Sequence, residues 1–167
     1  TWPVNGKFSP EQRTVYQIVL DAQANAFAAI SPGVGFDQPH LAALRTLVQG
    51  LKDLKVLDGS VDGLIEQQAY RPYYMHGTSH WLGLDVHDSG PYRNDDKATE
   101  LQSGMVFTVE PGLYFGNQAT ESPSHLRGVG IRIEDDVLVT NTGHKVLSAS
   151  IPSEIDDIEN LVGKGLQ

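Results

Sequence analysis

Cysteine is absent from this chain of 167 residues, which excludes disulfide bonds and thiolate metal sites. Long apolar runs are absent too, because no stretch approaches the roughly 18 residues that a membrane-spanning helix needs. No secretory leader pattern is visible either. Together these features favour a cytoplasmic protein without a membrane partner. The sequence begins with Thr1 instead of methionine, so we expect either a processed chain or part of a longer one.

Basic residues are scarce, since Lys and Arg number 12 against 21 Asp and Glu, and the formal net charge is −9. A nucleic acid or an anionic membrane surface requires a basic face, so neither is expected as the main partner. Hydrophobic residues make up 40% of the chain, which is ordinary for a globular protein. At this length they predict a single domain over residues 1–167 with its own core.

Helical patterns fill the first half of the chain. Ser9 is predicted as the N-cap of the first helix, with Pro10 at its first position and Gln12 completing a capping box. This helix is predicted to end before Pro32. Three further helices are predicted, of which one begins at the cap Asp37, one spans residues 61–69 and one begins at the cap Ser153.

The second half changes to the period-two alternation of β-strands. Three strands are predicted, at residues 105–112, 130–140 and 145–150, with Asn141-Thr142-Gly143 as the turn between the last two. Because helices precede strands, the order favours an α+β fold over a parallel sheet of βαβ units. We expect helices packed on an antiparallel sheet.

The stretch "HGTSHWLGLDVHD" holds half of the six histidines in the chain. The spacing of His76 and His80 is that of a zincin helix, but Gly77 stands where the catalytic glutamate would be, so we reject a zincin. Read as a strand, the stretch places His80 and His87 on opposite faces. They meet at one site only if the chain bends at Gly83 or at Gly77. A hydrogen-bonded structural role is the alternative for each histidine taken singly.

Two glutamates complete a candidate ligand set with one histidine. Glu110 ends an apolar strand directly before Pro111, at a sheet edge where sites are commonly built. Glu134 and Arg132 share one face of the following predicted strand, and an exposed ion pair between them is the alternative. One imidazole and two carboxylates suit Mn²⁺, Co²⁺, Fe²⁺ or Zn²⁺ and do not suit soft copper.

This chain resembles the C-terminal part of bacterial aminopeptidase P in the motifs "HGTSHWLGLDVHD", "TVEPGLY" and "GIRIEDD", and in "PVNGKFSPEQR" near its start. Aminopeptidase P is the Xaa-Pro aminopeptidase of the pita-bread metallopeptidases, family M24. The resemblance runs through almost the whole chain. It implies a partial pita-bread fold without the upstream strands. It also implies an enzyme that hydrolyses peptides with proline in second position and releases their N-terminal residue.

By this resemblance the family's metal ligands fall on His80, Glu110 and Glu134, with Glu134 bridging two divalent ions, usually Mn²⁺. Two such ions activate water for attack on the peptide. The resemblance also implies that Glu110 passes a proton to the leaving proline nitrogen. Peptides with an Xaa-Pro N-terminus are therefore the expected partners.

Four further residues match positions around the family's substrate pocket, and these are His76, His87, Tyr114 and Arg132. His76 and His87 are expected to orient the peptide and to stabilise negative charge that develops at the scissile bond. Arg132 matches an arginine beside the bridging carboxylate, and Tyr114 matches the tyrosine that follows "EPGL". With Glu110, the two histidines and Arg132 form the expected catalytic group.

The family has two further metal ligands, both aspartates upstream of the first helix, and they would lie before the start of this sequence. We therefore expect the chain to be the C-terminal portion of a catalytic domain, without the family's N-terminal domain. Alone it is expected to be inactive or weakly active and to hold at most one weakly bound ion. Missing upstream strands would expose a sheet edge and apolar surface, so self-association or homo-oligomers are expected.

Two other functions remain open. Some pita-bread proteins have lost the metal site and bind peptides or proteins, but such a module should carry substitutions at His80, Glu110 or Glu134, and all three are intact. A prolidase-type dipeptidase or a methionine aminopeptidase is the other possibility. The motifs "HWLGLDVHD" and "PVNGKF" favour aminopeptidase P, although a dipeptidase preference is compatible with them.

Overall fold

A computed structural model describes residues 1–116 and 122–163 of the chain. This part of the chain forms four α-helices and one short 3-10 helix. The α-helices are α1 (Pro10–Ala28), α2 (Gln38–Asp53), α3 (Val61–Glu66) and α4 (Ile155–Leu161), and the 3-10 helix is Ser124–Leu126. No helix in these residues is both long and apolar enough to cross a membrane.

The predicted start of α1 is confirmed. The Ser9 side chain accepts a hydrogen bond from the backbone N–H of Gln12, and the Gln12 side chain accepts one from the N–H of Ser9. These two bonds satisfy helix-end donors that would otherwise lack partners. The buried face of α1 packs against α2. The two helices approach closely at Gly50, where a side-chain carbon would lie 2.4 Å from Ile18.

The other helix boundaries differ slightly from the prediction. Asp37 does hold the cap position of α2, but its side chain makes no capping hydrogen bond. The third helix ends at Glu66 and not at residue 69, because the backbone turns to a left-handed conformation at Gln68, with φ of 55°. The cap of α4 is Glu154 and not Ser153.

Seven short strands pair in three antiparallel sheets within the described residues. The strands are β1 (Arg93–Asn94), β2 (Lys97–Ala98), β3 (Val106–Val109), β4 (Gly112–Tyr114), β5 (Gly130–Arg132), β6 (Asp135–Val139) and β7 (His144–Val146). Their orders are β1-β2, β3-β6-β7 and β4-β5. The expected α+β architecture with an antiparallel sheet is confirmed, although the single predicted sheet is divided. The hairpin of β1 and β2 was not predicted.

Two of the predicted strands are each interrupted. The strand at 105–112 breaks at Glu110, and the strand at 130–140 breaks at Glu134. The pairing runs from Val109 opposite Asp135 to Gly112 opposite Arg132, so the two breaks face each other. Proline after Glu110 cannot donate a ladder hydrogen bond, which gives a physical reason for the interruption. The breaks bring both glutamates to one place.

The last predicted strand is shorter than expected. Strand β7 ends at Val146, and residues 147–150 form turns. The predicted turn before β7 is confirmed, because the N–H of Thr140 donates to the carbonyl of Gly143 across it.

The histidine-rich stretch is not a regular strand, which corrects the strand reading of residues 76–88. Its first part runs beside β3: the N–H of Thr108 donates to the carbonyl of His80, and the N–H of Glu110 donates to the carbonyl of Thr78. The chain then turns back, and the N–H of Asp88 donates to the carbonyl of Trp81. The expectation that His80 and His87 lie on opposite faces of one strand therefore does not apply.

One hydrophobic core joins the two long helices to the central sheet, and α1 also contacts β4 and β5. Its fully buried members include Val15, Val19, Ala22 and Ala26 of α1, Leu47, Val48 and Leu51 of α2, and Phe107, Val109, Val137 and Val139 of the sheet. At the strand interruptions Glu110, Pro111 and Ile133 are buried, whereas Glu134 is exposed. The packing of the core fixes the backbone that carries the polar residues described next.

Candidate metal centre and active site

Three side chains from separate parts of the chain converge where the strands break. His80, Glu110 and Glu134 each offer a ligand atom, and these atoms all lie within 4.8 Å of one another. His80 comes from the stretch beside β3, Glu110 follows β3 directly, and Glu134 lies between β5 and β6. Glu110 is 8% exposed, so one of the three carries its charge in a largely buried position.

The imidazole of His80 is oriented by its own backbone neighbour. Its Nδ1 lies 3.0 Å from the carbonyl oxygen of Trp81, which can only accept, so Nδ1 carries a proton. Its Nε2 lies 3.2 Å from Oε1 of Glu110. In the neutral ring Nε2 is an acceptor facing a carboxylate, and two acceptors at this distance attract a cation. Histidines that bind metals through one ring nitrogen usually donate the N–H of the other nitrogen to an acceptor such as a carbonyl.

Arg132 lies beside both carboxylates. Its Nη1 is 3.6 Å from Oε2 of Glu110, and its Nε is 4.0 Å from Oε2 of Glu134. Burial raises the pKa of Glu134, the charge of Glu110 raises it further, and Arg132 opposes both effects. The two carboxylates therefore repel each other across a space in which positive charge is favoured.

His76 and Tyr114 form the rim of the site. Nδ1 of His76 lies 2.7 Å from the carbonyl oxygen of Gly77, so this nitrogen carries a proton and Nε2 accepts. The Tyr114 hydroxyl donates to that Nε2 at 2.8 Å. Burial raises the pKa of Tyr114, which keeps the phenol protonated. Both side chains line a cavity of about 630 Å³ with Arg132 and Glu134.

The bend that the sequence required is present. The rings of His80 and His87 lie 4.4 Å apart between centroids, in an edge-on arrangement. The turn is tight at Gly83, where a side-chain carbon would lie 1.8 Å from Oδ2 of Asp88. Only glycine fits this close approach without displacing Asp88. His87 is exposed at the end of the bend.

Every residue singled out from the sequence thus lies in one region, but a buried network behind it was missed. The Thr78 hydroxyl lies 2.7 Å from the hydroxyl of Tyr74 and 2.8 Å from Nδ1 of His40. Burial lowers the pKa of His40 and raises that of Tyr74. His40 belongs to α2, far away in sequence, and no local pattern connects it to the site. Thr108 was also missed, although its alternation with Glu110 places both on one strand face.

Comparison with known proteins assigns the family. The sequence profile of metallopeptidase family M24 matches residues 1–141. The chain belongs to this family. The Xaa-Pro aminopeptidase of Haemophilus influenzae is 53% identical over 162 residues, which are 97% of this chain and 37% of that protein. The Xaa-Pro aminopeptidase of Escherichia coli is 48% identical over 162 residues, which are 97% of this chain and 36% of that protein.

Solved structures agree with the sequence comparison. The aminopeptidase PepP of Pseudomonas aeruginosa superposes with a TM-score of 0.94 at 45% identity, over 96% of this chain and 36% of that one. Proline aminopeptidase P II of Yersinia pestis has a TM-score of 0.91 at 48% identity, over 99% of this chain and 37% of that one. The resemblance to bacterial aminopeptidase P and the pita-bread fold are thereby confirmed. The chain spans little more than a third of each relative's length.

The donor set fits the metal dependence that the family name states. His80 contributes its imidazole Nε2, with Nδ1 already hydrogen-bonded to a carbonyl, and two carboxylates face it. Such a mixed nitrogen and oxygen set suits a divalent ion of borderline hardness. The site can therefore hold a divalent ion through His80, Glu110 and Glu134.

Proposed function

We propose that this chain carries the metal-binding portion of an Xaa-Pro aminopeptidase catalytic domain. The reaction is hydrolysis of the peptide bond before a proline in second position, which releases the N-terminal residue. One observation carries the proposal: three donor atoms of His80, Glu110 and Glu134 converge within 4.8 Å beside a cavity. The high identity to proteins described as Xaa-Pro aminopeptidases supports the substrate class.

In this proposal His80, Glu110 and Glu134 are the metal ligands of this chain. The complete enzyme would hold two divalent ions, most often Mn²⁺, and these three residues would supply part of their ligands. A divalent ion supplies Lewis-acid polarisation of the scissile carbonyl and acidifies water. The repulsion between the two carboxylates and the orientation of His80 both favour a cation between them.

Glu110 is the proton carrier in our proposal. It accepts a proton from the attacking water and delivers it to the proline nitrogen as the carbon–nitrogen bond breaks, so the leaving group departs neutral. Its largely buried position excludes bulk water from the carboxylate. The Arg132 guanidinium lies 3.6 Å from its Oε2 and adds a positive charge beside the carboxylate.

The residues on the rim hold the peptide. His76, whose two ring nitrogens are bonded to Gly77 and Tyr114, orients the peptide. The exposed His87 orients it too and donates to the carbonyl oxygen as negative charge develops there. Arg132 adds a positive charge that faces both the carboxylates and the cavity. Tyr114 holds the His76 ring through its hydroxyl and contributes to substrate binding.

For the 167-residue chain alone we propose little or no peptidase activity. Among the residues that the structure describes, the metal group comprises three ligand residues, which suit one weakly held ion. Two tightly held ions would need further ligands. A cytoplasmic location and self-association of the chain remain predictions from the sequence.

The test is Mn²⁺ binding, measured through the electron paramagnetic resonance signal of the free ion. We expect one weak site in the unaltered chain and its loss in His80→Ala. The matched control is His125→Ala, because His125 is exposed on the 3-10 helix and is not one of the three grouped donors. Equal binding in His80→Ala and the unaltered chain would contradict the ligand assignment. Two tight ions, or turnover of an Xaa-Pro peptide well above background, would contradict the proposed inactivity.

A further inference from the structure

Thr108 links two of the candidate ligands through one hydroxyl group. It lies in β3 and is 2% exposed. Its Oγ1 lies 3.1 Å from the backbone nitrogen of His80 and 3.1 Å from Oε1 of Glu110. Within the described part of the chain, Thr108 is the one side chain that hydrogen-bonds to both residues.

The donor and acceptor roles in this link are determined. The N–H of His80 can only donate, so the oxygen of Thr108 accepts from it. The single hydroxyl proton of Thr108 is then available to Glu110, whose carboxylate can only accept when ionised. The hydrogen bonds therefore run in one direction, from His80 through Thr108 to Glu110.

We propose that Thr108 is a positioning residue, which sets His80 and Glu110 in register for a metal ion before the ion binds. The proposal rests on the ligand roles proposed above. The hydroxyl occupies one side of Oε1, so it limits rotation of the Glu110 carboxylate and leaves Oε2 toward Arg132. The same hydroxyl holds the His80 backbone, and the Trp81 carbonyl then holds the ring.

The side chain at this position must provide both the hydroxyl and a restricted rotation. Threonine is branched at Cβ, so its first side-chain torsion is stiffer than that of serine. Because the residue is buried, loss of the hydroxyl would leave the His80 N–H without its acceptor and remove one donor from Glu110. Valine has nearly the shape of threonine and lacks only this group.

The test compares Thr108→Val with Thr108→Ser in the full chain. We expect Thr108→Val to lower the Mn²⁺ affinity about 10–100-fold, as second-sphere changes do. Thr108→Ser retains the hydroxyl and should restore most of the affinity. Unchanged affinity in Thr108→Val, or equal losses in both variants, would overturn the proposal.

A second readout requires no metal. Amide hydrogen exchange of His80 should accelerate about fivefold or more in metal-free Thr108→Val, as expected from the loss of one hydrogen bond. The amide of Glu110 donates to the carbonyl of Thr78 and serves as the internal control. If the unaltered chain takes up no Mn²⁺, the proposed metal function fails, while the amide comparison still decides the role of Thr108. Unchanged exchange at His80 would overturn that role. Should Thr108→Val not fold, Thr108→Ala provides the same comparison with a smaller side chain.

Discussion

At the scale of single residues, the site is organised by contacts that do not involve a metal ion. The carbonyl of Trp81 holds the His80 ring, and the carbonyl of Gly77 holds the His76 ring. Both histidines therefore donate through Nδ1, and Nε2 faces Glu110 in His80 and Tyr114 in His76. A site arranged in this way loses little freedom when a ligand arrives, which is the benefit of preorganisation.

A first prediction concerns Glu110. Glu110→Gln replaces a charged ligand by a neutral amide of the same shape, so we expect the Mn²⁺ affinity of the chain to fall at least about tenfold. In a complete enzyme the same change should nearly abolish turnover, because the amide cannot carry the proton. The free-ion resonance signal and a peptide assay measure the two effects.

Glu100→Gln is the control for this prediction, since Glu100 is exposed and is not among the three grouped donors. It should bind Mn²⁺ like the unaltered chain. Near-normal turnover in Glu110→Gln would show that another group carries the proton.

At the scale of secondary-structure elements, the two interrupted strands create the site. Opposed breaks at Glu110 and Glu134 let both side chains leave their sheets at one point. The sequence identified both glutamates and the alternation around them. It indicated the end of a strand at Glu110, directly before Pro111. It did not predict the break at Glu134, because the alternation continues through Ile131 and Ile133 without a visible signal at the division into β5 and β6.

Local signals were sufficient where the deciding contacts are local. The capping box of Ser9 and Gln12 determines the start of α1, and it was predicted correctly. The contact between His40 and Thr78 could not be predicted in this way, because it spans 38 positions and depends on how α2 packs. The meeting of His80 and His87 was expected only on the condition of a bend at Gly83 or Gly77, and the tight turn lies at Gly83.

A second prediction tests the paired strands β4 and β5. A side-chain carbon at Gly112 would lie 2.5 Å from the Tyr114 hydroxyl and 2.9 Å from the backbone oxygen of Ile131. Because the backbone at Ile131 cannot move away without a cost in free energy, Gly112→Ala should lower the free energy of unfolding by about 1–3 kcal/mol. Urea denaturation measures the change. Gly116→Ala is the matched control, because nothing lies within 4 Å of its added carbon. Equal stability of the two variants would contradict the clash.

A third prediction concerns the attachment of α4 to the start of α1. Glu159 accepts hydrogen bonds from Arg13, from the backbone of Phe8 and from Lys7. These contacts, that of Arg13 above all, lower the pKa of Glu159 to about 2. Because the pKa of Glu159 is lower in the folded than in the unfolded chain, its ionised carboxylate stabilises the folded chain at pH values above the unfolded-state pKa. This stabilisation is lost as the pH falls toward 2.

Glu159→Gln should therefore lose less thermal stability than the unaltered chain when pH falls from 6 to 2.5, starting from a lower midpoint at pH 6. Melting curves at a series of pH values measure this difference. Glu66→Gln, on the exposed surface of α3, should retain the acid dependence of the unaltered chain. Parallel curves for Glu159→Gln and the unaltered chain would exclude this linkage.

At the scale of the whole molecule, a closed core coexists with an open cavity. The core between α1, α2 and the sheet is continuous, whereas the cavity beside the site has exposed apolar side chains on its wall. Trp2, Met75 and Ile151 are 65%, 58% and 66% exposed. A grouped apolar surface of this kind promotes association.

The fourth prediction is that the chain self-associates through this cavity. Sedimentation should give an average mass above that of the monomer, increasing with concentration. Replacing Met75 by Gln and Ile151 by Ser together should shift the equilibrium toward monomer. Leu84→Ser is the control, because Leu84 is fully exposed and does not line the cavity. A monomer at all concentrations would contradict the prediction.

Locating the ion tests the metal-binding role of His80, Glu110 and Glu134 most sharply. A crystal of the chain soaked in Mn²⁺ and measured for anomalous scattering shows where manganese binds. We predict one peak between Nε2 of His80 and the carboxylates of Glu110 and Glu134. A peak at any other place, or no peak at these three residues at high Mn²⁺ concentration, would show that they do not form the metal-binding part of a peptidase site.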